Sequence, residues 1–599
     1  MTYRWLGSGW GGSAVAWKPE RPEAVCEAFG RGVEPLVSRL LWARGYRDAA
    51  SSAAFVDASM RGLHEPSLLP DLDRAAERIL AAARAGEPIV IYGDYDVDGI
   101  SASAILFHAL RAIAPGAVVT TYVPHRMEEG YGLHGEALRG LASDGARVIV
   151  SVDCGVTAFD PARAARDAGA DLIITDHHEL SADGRVPEAY AVVHPRRGGG
   201  PTSYPFGELC GAGVAFKLAW RLMTLAEGRA KLTEPMREVL LDLLALASLG
   251  TVADIVPLVG ENRVITRHGL RRLRSTRLVG LSAFIEASGL AGENIDAERV
   301  GFTLGPRLNA CGRMGHAKHA VAMLTTASAD EARAIAKELA KLNDQRRRTE
   351  KQIFDEACAQ AEDAGMTGDD RRAIVLADEQ WHAGVVGIVC SRLVGRYHRP
   401  TILMDRRDGL CHGSGRSIDG FNLHEGLSRC SDLLVKFGGH DMAAGLALEE
   451  SKLGAFAERF VEVANRAIAA EALTPSVSID CAASVAELTP QAVEKVLDLG
   501  PFGRGNPQPR LLLEGVRVTR DAEAMGAGGE HLSVFVRQGE HEVRLVGWRW
   551  GAQRSRLRGG LWLDAVVEPK LSAWNGRVRV EPTIVDVRVR EGAPGVTSP

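Results

Sequence analysis

No C-x-x-C pair occurs in the 599 residues, and the nine cysteines are scattered along the chain. That excludes a zinc ribbon or a disulfide framework as the organising device and points to a reduced, cytoplasmic chain. Excess positive charge is missing too. The formal net charge is −5, so any contact with nucleic acid has to be made by a local patch. Residues 1–20 contain Gly and Trp but lack the basic-then-apolar order of a secretory signal. The most apolar stretch, 240–259, is interrupted by Asp242 and Asp254, each costing roughly 2.5–3.5 kcal/mol at a bilayer centre. It reads as a segment buried in protein, with no membrane contact. Hydrophobic content of 46% and charged content of 25% are those of a globular protein, and the length predicts three or four domains.

What is present is concentrated in Ile91-Tyr92-Gly93-Asp94-Tyr95-Asp96-Val97-Asp98-Gly99-Ile100. The β-branched run before it predicts a buried strand, and the apolar spacing over 101–112 predicts a helix. Three carboxylates therefore alternate on one extended loop where a strand hands over to a helix, the edge of an α/β sheet at which ligands bind. Residues two apart in an extended segment share a face, so Asp94, Asp96 and Asp98 are expected to converge. Close carboxylates raise one another's pKa unless a cation neutralises them, and oxygen ligands suit Mg2+ or Mn2+. A surface turn rich in Asp and Gly has the same composition, and the rest of the chain decides between the two.

From about residue 75 strands and helices alternate: helix 73–85, the strand ending at Ile91, strand 117–123, helix 134–143, strand 147–152, helix 158–168 and strand 171–174. The spacing predicts a mainly parallel sheet with covering helices. Asp94–Asp98, Asp153 and Asp176-His177-His178 each begin where a strand ends. Parallel strands point the same way, so the three motifs gather on one sheet edge, which independent surface turns would not do. Beyond them, 193–200 reads as a loop, 209–216 leads into a helix, and 240–249 is an apolar helix broken by Gly250. Asp254 is either a helix cap or a ligand. Ser328-Ala-Asp-Glu331 has the form of a capping box. The helix it opens could reach Gly365, about 37 residues and roughly 55 Å, and without a sustained heptad it bridges domains rather than forming a coiled coil. Its Arg346, Arg347 and Arg348 line either a phosphate path or a solvated face.

A second α/β segment starts at 372 and carries Trp381-His382-Ala-Gly384, Gly387, Ser391-Arg392, Gly413-Ser-Gly-Arg416-Ser417 and Gly438-Gly439-His440. Glycines at a helix entrance let backbone amides approach a phosphate. From about 476, short alternating runs at 516–518, 531–537, 542–548, 561–567 and 578–587 suggest an OB-like barrel. There Arg537, Arg544, Trp548, Arg549, Trp550, Lys570, Trp574 and Arg577 interleave cation and aromatic, as a single-strand platform does. Core tryptophans under a solvated rim have the same pattern. The layout expected is a lead-in at 1–50 packed on the next segment of chain, an α/β catalytic domain at 51–325, a connecting helix at 326–366, a second α/β domain at 367–472, the barrel at 473–590 and a disordered tail at 591–599.

Asp94-x-Asp96-x-Asp98-Gly99, Asp153, Asp176-His177-His178 and Asp254 occur in the order of the four motifs of the DHH phosphoesterases, and Gly438-Gly439-His440 resembles the signature of the DHH-associated domain. Tyr92-Gly-Asp-Tyr-Asp96, Gly305-Pro-Arg-Leu-Asn-Ala-Cys-Gly-Arg313 and Gly500-Pro-Phe-Gly-Arg-Gly-Asn-Pro-Gln-Pro509 narrow the resemblance to the RecJ family, over about 50–590. The resemblance implies a metal-dependent exonuclease that degrades single-stranded DNA 5′→3′ to 5′-mononucleotides in repair and recombination, using two divalent ions, Mn2+ or Mg2+. It implies Asp96, Asp98, Asp153, Asp176, His177 and Asp254 as metal ligands, with Asp153 bridging. Asp94 is a ligand or a carboxylate just behind the ligands, and His178 a phosphate partner or acid. Arg313, Ser391, Arg392, Arg416 and His440 become candidates for binding substrate, including its terminal 5′-phosphate. Implied partners are a single-stranded-DNA-binding protein and a repair helicase, with the chain itself a monomer. Two other readings stand beside this one: a phosphodiesterase for very short or cyclic oligonucleotides, which the extra barrel disfavours, and a catalytically dead binding scaffold, which the intact acidic motifs disfavour.

Overall fold

A computed structural model describes residues 3–6, 29, 33–198, 203–368, 370–574 and 576–590. The tail expected at 591–599, most of the lead-in before residue 33, the end of the loop at 199–200 and the Trp574 side chain lie outside the described residues. The chain divides into two compact units. One comprises Ala58–Gln352 with Pro501–Pro507, the other Met1–Asp57, Ile353–Gly500 and Gln508–Pro599. No described helix is long and apolar enough to cross a membrane. The eight cysteines among the described residues are all free and buried.

The first unit is built on a five-stranded parallel sheet in the order Val119–Tyr122, Ile89–Gly93, Val148–Val152, Asp171–Thr175, Ala191–Val193. Ile89–Gly93 and Val148–Val152 are buried at every residue, which is why they read as Val/Ile-rich runs rather than as alternating ones. The helix after the first acidic motif starts earlier than expected, at Val97. Asp96 is its N-cap, its Oδ1 accepting the Asp98 N–H at 2.8 Å and the Gly99 N–H at 3.2 Å. Asp98 therefore lies in a first helical turn, and alternation along an extended loop is not what brings the carboxylates together. Capping outcompetes extension because those N–H groups have no acceptor within the helix.

Gly250 does not break its helix, which runs from Glu234 to Ala253. A Cβ there would stand 2.3 Å from Asp98 Oδ1 and 2.6 Å from the Ala212 Cβ. The glycine serves close approach, at the roughly 1 kcal/mol that glycine costs within a helix. Behind the same helices lies a buried ion pair. Lys217 Nζ donates to Glu261 Oε1 at 2.5 Å and to the His64 carbonyl at 2.6 Å, and Glu261 also accepts from the Tyr204 hydroxyl and the His64 N–H.

In the other unit the second α/β segment forms a mixed sheet. Only Ile374–Asp378 and Thr401–Arg407 run parallel, and Leu410–Arg416, Ala443–Glu449 and Lys436–Gly439 add antiparallel. The barrel closes in the order Leu511–Val518, Trp562–Glu568, Thr583–Val589, His541–Gly547, His531–Gln538, and the Arg517↔Arg537 pairing returns to the first strand. The single run expected at 578–587 is two strands, Arg577–Val580 and Thr583–Val589, because Pro582 between them has no N–H to give a ladder. Of the interleaved cations, Arg537 pairs with Glu542 and Arg544 with Glu581. Trp548 is half exposed, edge-on to His531. The described lead-in is tied to distant chain: Tyr3–Leu6 pairs antiparallel with Ser476–Ile479, and Arg39 Nη1 donates to the Ala482 carbonyl at 3.0 Å. The capping box forms, with Glu331 accepting from the Ser328 N–H and the Glu331 N–H reaching Ser328 Oγ. Its helix is Ala329–Asp363.

Candidate metal centre

Asp94, Asp153 and Asp176 each leave the carboxyl end of one of three adjacent parallel strands. Asp153 turns in the left-handed region, φ 64°. The Asp98 carboxylate accepts the Gly211 N–H at 2.6 Å and the Ala212 N–H at 2.9 Å, where the helix Gly211–Glu227 begins and its dipole favours negative charge. Asp254 follows the helix Glu234–Ala253 as its C-cap. These elements converge on His177, whose Nε2 lies 3.2 Å from Asp153 Oδ1, 3.5 Å from Asp254 Oδ2 and 3.8 Å from Asp98 Oδ2. Asp153/His177/His178, Asp98/His177/Asp254 and Asp94/Asp96/Asp153 each offer ligand atoms within 4.8 Å of one another. Asp153 is common to two of the groups.

The electrostatics of the site disfavour charge on most of its carboxylates. Burial first, then the neighbouring carboxylates, push Asp94 and Asp153 well above the ordinary carboxylate range and Asp254 to about 8. Burial likewise raises Asp98, against the pull of His177. It lowers His177 to about 4, so this imidazole is neutral at pH 7, the form that ligates metal. Asp94 Oδ1, Asp153 Oδ1 and His177 Nε2 are buried without a hydrogen-bond partner among the described residues. A set of carboxylates plus one imidazole, with its inner atoms unpartnered, fits hard divalent cations.

Asp176, expected among the ligands, is held by a different set of contacts from the other carboxylates, with four N–H donors on its carboxylate. Oδ1 accepts the His177 N–H at 2.7 Å, the His178 N–H at 3.2 Å and His178 Nδ1 at 2.8 Å, and Oδ2 accepts the Val156 N–H at 2.8 Å. None of the three groups includes it. Burial would raise its pKa, but the His178 hydrogen bond and charge hold it at about 2. For His178 burial works downward and is overcome by the Asp176 hydrogen bond and charge, which lift it to about 9. Adjacent histidines are thus driven to opposite protonation states, a division of roles set by environment.

That division makes a pH prediction. The Asp176–His178 pair contributes stability in full between the ordinary Asp and His values, about 4 to 6.5. The contribution is lost as pH falls through about 2, and again as pH rises through about 9. In Asp176→Asn protein the His178 titration should fall from about 9 toward or below the ordinary value, since burial then acts without its main opponent. Histidine NMR titration of metal-free protein reads this directly, and a titration left near 9 would contradict it.

Some residues at the centre carry no local signal. The Tyr131 hydroxyl donates to the Asp153 carbonyl at 3.2 Å and lies 3.0 Å from His178 Nδ1. Its only sequence mark is the flanking Gly130 and Gly132, both with positive φ. Asn309 Oδ1 accepts the Val97 N–H at 3.1 Å, a partnership across more than two hundred residues. Arg126 lies over the Tyr95 ring at 4.6 Å. The loop Pro501–Pro507 reaches the same unit, where the Arg504 carbonyl accepts the Leu258 N–H at 2.7 Å and its positive charge acts on Asp254. Of the substrate candidates, Arg313 lies on the helix Gly305–Met314, whose Gly312 abuts Tyr95. Ser391, Arg392, Arg416 and His440 belong to the other unit. There Arg416 ends the strand Leu410–Arg416 beside Gly387, Ser391 Oγ donates to the Gly387 carbonyl, Arg392 lies 3.9 Å over Phe354, and the His440 N–H bonds Ala443, the residue paired with Arg416.

Residues 88–248 match the DHH family, N-terminal domain, residues 370–469 the DHHA1 domain, and residues 479–586 the RecJ OB domain. The chain is 37% identical over 586 residues to the single-stranded-DNA-specific exonuclease RecJ of Bacillus subtilis (strain 168), covering 97% of this chain and 71% of the relative. Among solved structures, RecJ of Thermus thermophilus in complex with Mn2+ is similar at TM-score 0.77 and 31% identity, covering 96% of this chain and 79% of that one. The Mg2+ complex from the same source is similar at TM-score 0.72 and 31% identity, covering 95% and 77%.

Proposed function

The chain belongs to the RecJ family, and from that premise we propose that it removes 5′-mononucleotides stepwise from the 5′ end of single-stranded DNA. The observation that carries the proposal is the convergence of the buried Asp98 and Asp153 and the half-buried Asp254 on His177 beside Asp94 and Asp96. In this reading Asp94, Asp96 and Asp153 would hold one divalent cation and Asp98, Asp153, His177 and Asp254 a second, with Asp153 common to both sets. Bound there, Mn2+ or Mg2+ would supply an activated water and a counter-charge for the phosphate during in-line displacement.

The chain's own groups do the rest. Asp176 fixes the His178 ring by accepting from its backbone N–H and Nδ1 and keeps it protonated at neutral pH. His178 is then a donor to the scissile phosphate, and its proton can pass to the departing 3′-oxygen as the P–O bond breaks. Tyr131 holds His178 from the side and ties it to the Asp153 backbone. In the other unit, Ser391, Arg392, Arg416 and His440 form the proposed seat of the terminal 5′-phosphate, which would set the direction. Charge-assisted hydrogen bonds are worth about 1.5–3 kcal/mol, so Arg416→Ala should lower the preference for a 5′-phosphoryl over a 5′-hydroxyl end about ten-fold or more in kcat/KM. An unchanged preference would remove Arg416 from that seat.

The deciding experiment uses end-labelled oligonucleotides of about 30 nucleotides, longer than a single OB-type site, as single strand and as blunt duplex, with Mn2+ and with EDTA. Stepwise 5′-mononucleotide release from the single strand, abolished by EDTA, is the expected result. Survival of the long strand with cleavage of dinucleotides or cyclic dinucleotides would favour the short-substrate enzyme, and binding without cleavage the scaffold. The same proposal places the protein in the cytoplasm, acting as a monomer in repair and recombination beside a single-stranded-DNA-binding protein and a helicase. Sedimentation and pull-down with those two partners check this.

A further inference from the structure

Between the short helix Ala297–Arg299 and the helix Gly305–Met314 the chain makes a π turn, Val300–Leu304. Such turns give up regular hydrogen bonding and recur at functional sites. This one carries Phe302, which at 82% is the most exposed large apolar side chain among the described residues. A single exposed ring says little, but the surroundings are specific. Arg307 is anchored on the turn itself, Nη1 donating to the Thr303 carbonyl at 2.7 Å, while its Nε is buried without a hydrogen-bond partner among the described residues. Arg346 repeats the pattern: one arm pairs with Glu350 at 3.1 Å, and its Nε is buried and equally unpartnered. Arg347 adds a positive charge that acts on both. Burial and Arg347 together pull the two guanidiniums below their ordinary value, against Asp344 at Arg307 and Glu350 at Arg346. Buried guanidinium donors without acceptors, repelled by a third cation, call for an anion.

The place is next to the metal centre. A Cβ on Gly305, directly after the turn, would lie 3.8 Å from the Ala253 Cβ, and Ala253 precedes Asp254. Farther along the same helix Asn309 holds the Val97 N–H of the acidic motif. We propose that Phe302 and Arg307, supported by Arg346 and Arg347, form a subsite for the DNA strand in which a base stacks on Phe302 and a neighbouring backbone phosphate pairs with Arg307. An aromatic face beside a cation is what an unpaired nucleotide offers complements to, whereas a duplex keeps its base faces covered. The subsite rests on the exonuclease reading above and adds a reason for its single-strand preference.

The test is binding of fluorescein-labelled oligo-dT to metal-free protein, by anisotropy, between about 50 and 200 mM salt. Phe302→Ala should weaken binding about ten-fold with the salt slope unchanged, and Phe302→Trp should restore it. Arg307→Gln should reduce the slope of log K against log salt by about 0.7, one phosphate contact on a single strand, and Arg307→Lys should retain it. Phe302 is exposed, so its variants keep the fold and decide alone if Arg307→Gln does not fold. Wild-type hydrolysis of the long strand with Mn2+ is measured in parallel. If the wild type cuts the strand but all variants bind with its affinity and slope, the subsite is overturned and the exonuclease stands. If the wild type neither binds nor cuts, the exonuclease reading falls and takes the subsite with it.

Discussion

Asp153→Asn is expected to lower hydrolysis of single-stranded DNA on the order of 10^3-fold or more, about 4 kcal/mol of transition-state stabilisation, without weakening the metal-free fold. Asp153 is the carboxylate common to two of the ligand groups and the nearest to His177 Nε2, at 3.2 Å. Removing its charge disables both proposed cation positions together. Asparagine is the informative replacement. Asp153 sits at φ 64°, a conformation Asn adopts at less cost than Ala, so the variant separates charge from backbone. The metal-free protein should melt at the same temperature or higher. Burial and the charges of Asp98, Asp96, Asp94 and Asp254 all disfavour the ionised Asp153, and a neutral amide relieves that repulsion. The stabilisation that Mn2+ brings to the wild type should disappear, because ligands stabilise in proportion to their binding. Thermal melts with and without Mn2+, set beside the nuclease rate, read all three effects. Full activity in Asp153→Asn would sink the shared-ligand assignment, and lost activity with an undiminished Mn2+ shift would move Asp153 from metal binding to another role.

Lys217→Met should cost about 3–5 kcal/mol of stability, the range for removing one partner of a buried ion pair. The ammonium and the Glu261 carboxylate are 0% and 1% exposed, on the helices Gly211–Glu227 and Gly260–Leu273. Lys217 Nζ also satisfies the His64 carbonyl and lies 5.3 Å from the centre of the Trp220 ring. Methionine fills the volume but leaves the Glu261 carboxylate without its ammonium partner. The helix that carries Lys217 begins with the two N–H groups that hold Asp98, so the loss should reach the metal centre as weaker Mn2+ binding. Denaturant unfolding followed by tryptophan fluorescence measures the stability change. Adding Glu261→Gln should recover part of it, because the pair is then removed as a unit. A double variant no better than the single would mean that the cost is packing rather than charge.

Much of this was legible without coordinates, for a definite reason. A buried parallel strand is rich in Val and Ile, so Ile89–Gly93, Val148–Val152 and Asp171–Thr175 stand out as runs, and the acidic residues that follow them are marked by contrast. Parallelism then places Asp94, Asp153 and Asp176 on one edge without any distance being known. The details that failed depend on partners far along the chain. Asp98 turns into a helix and meets Gly211 and Ala212, where an extended loop was expected. Gly250 is a contact against Asp98 where a helix break was expected. The lead-in pairs with the distant strand Ser476–Ile479, where packing on the next segment of chain was expected.

By itself the sequence determined the sheet, the order of the acidic motifs, the capping box at Ser328 and the identity of the groups available for chemistry, since each depends on neighbours within a turn or a strand. Tertiary structure alone decided which carboxylates stand together around His177. Asp176 resembles a ligand in the chain, and in the fold four N–H donors reach its carboxylate and tie it to His178. Asp254 looks like a cap and is one, and it becomes a ligand candidate because the helix that ends there runs past Asp98. Protonation followed the same rule: His177 and His178 are identical side chains one residue apart, and burial drives one to about 4 while Asp176 lifts the other to about 9. A side chain's chemistry is written in the sequence, but its charge depends on what surrounds it, and those surroundings exist only once distant segments have packed.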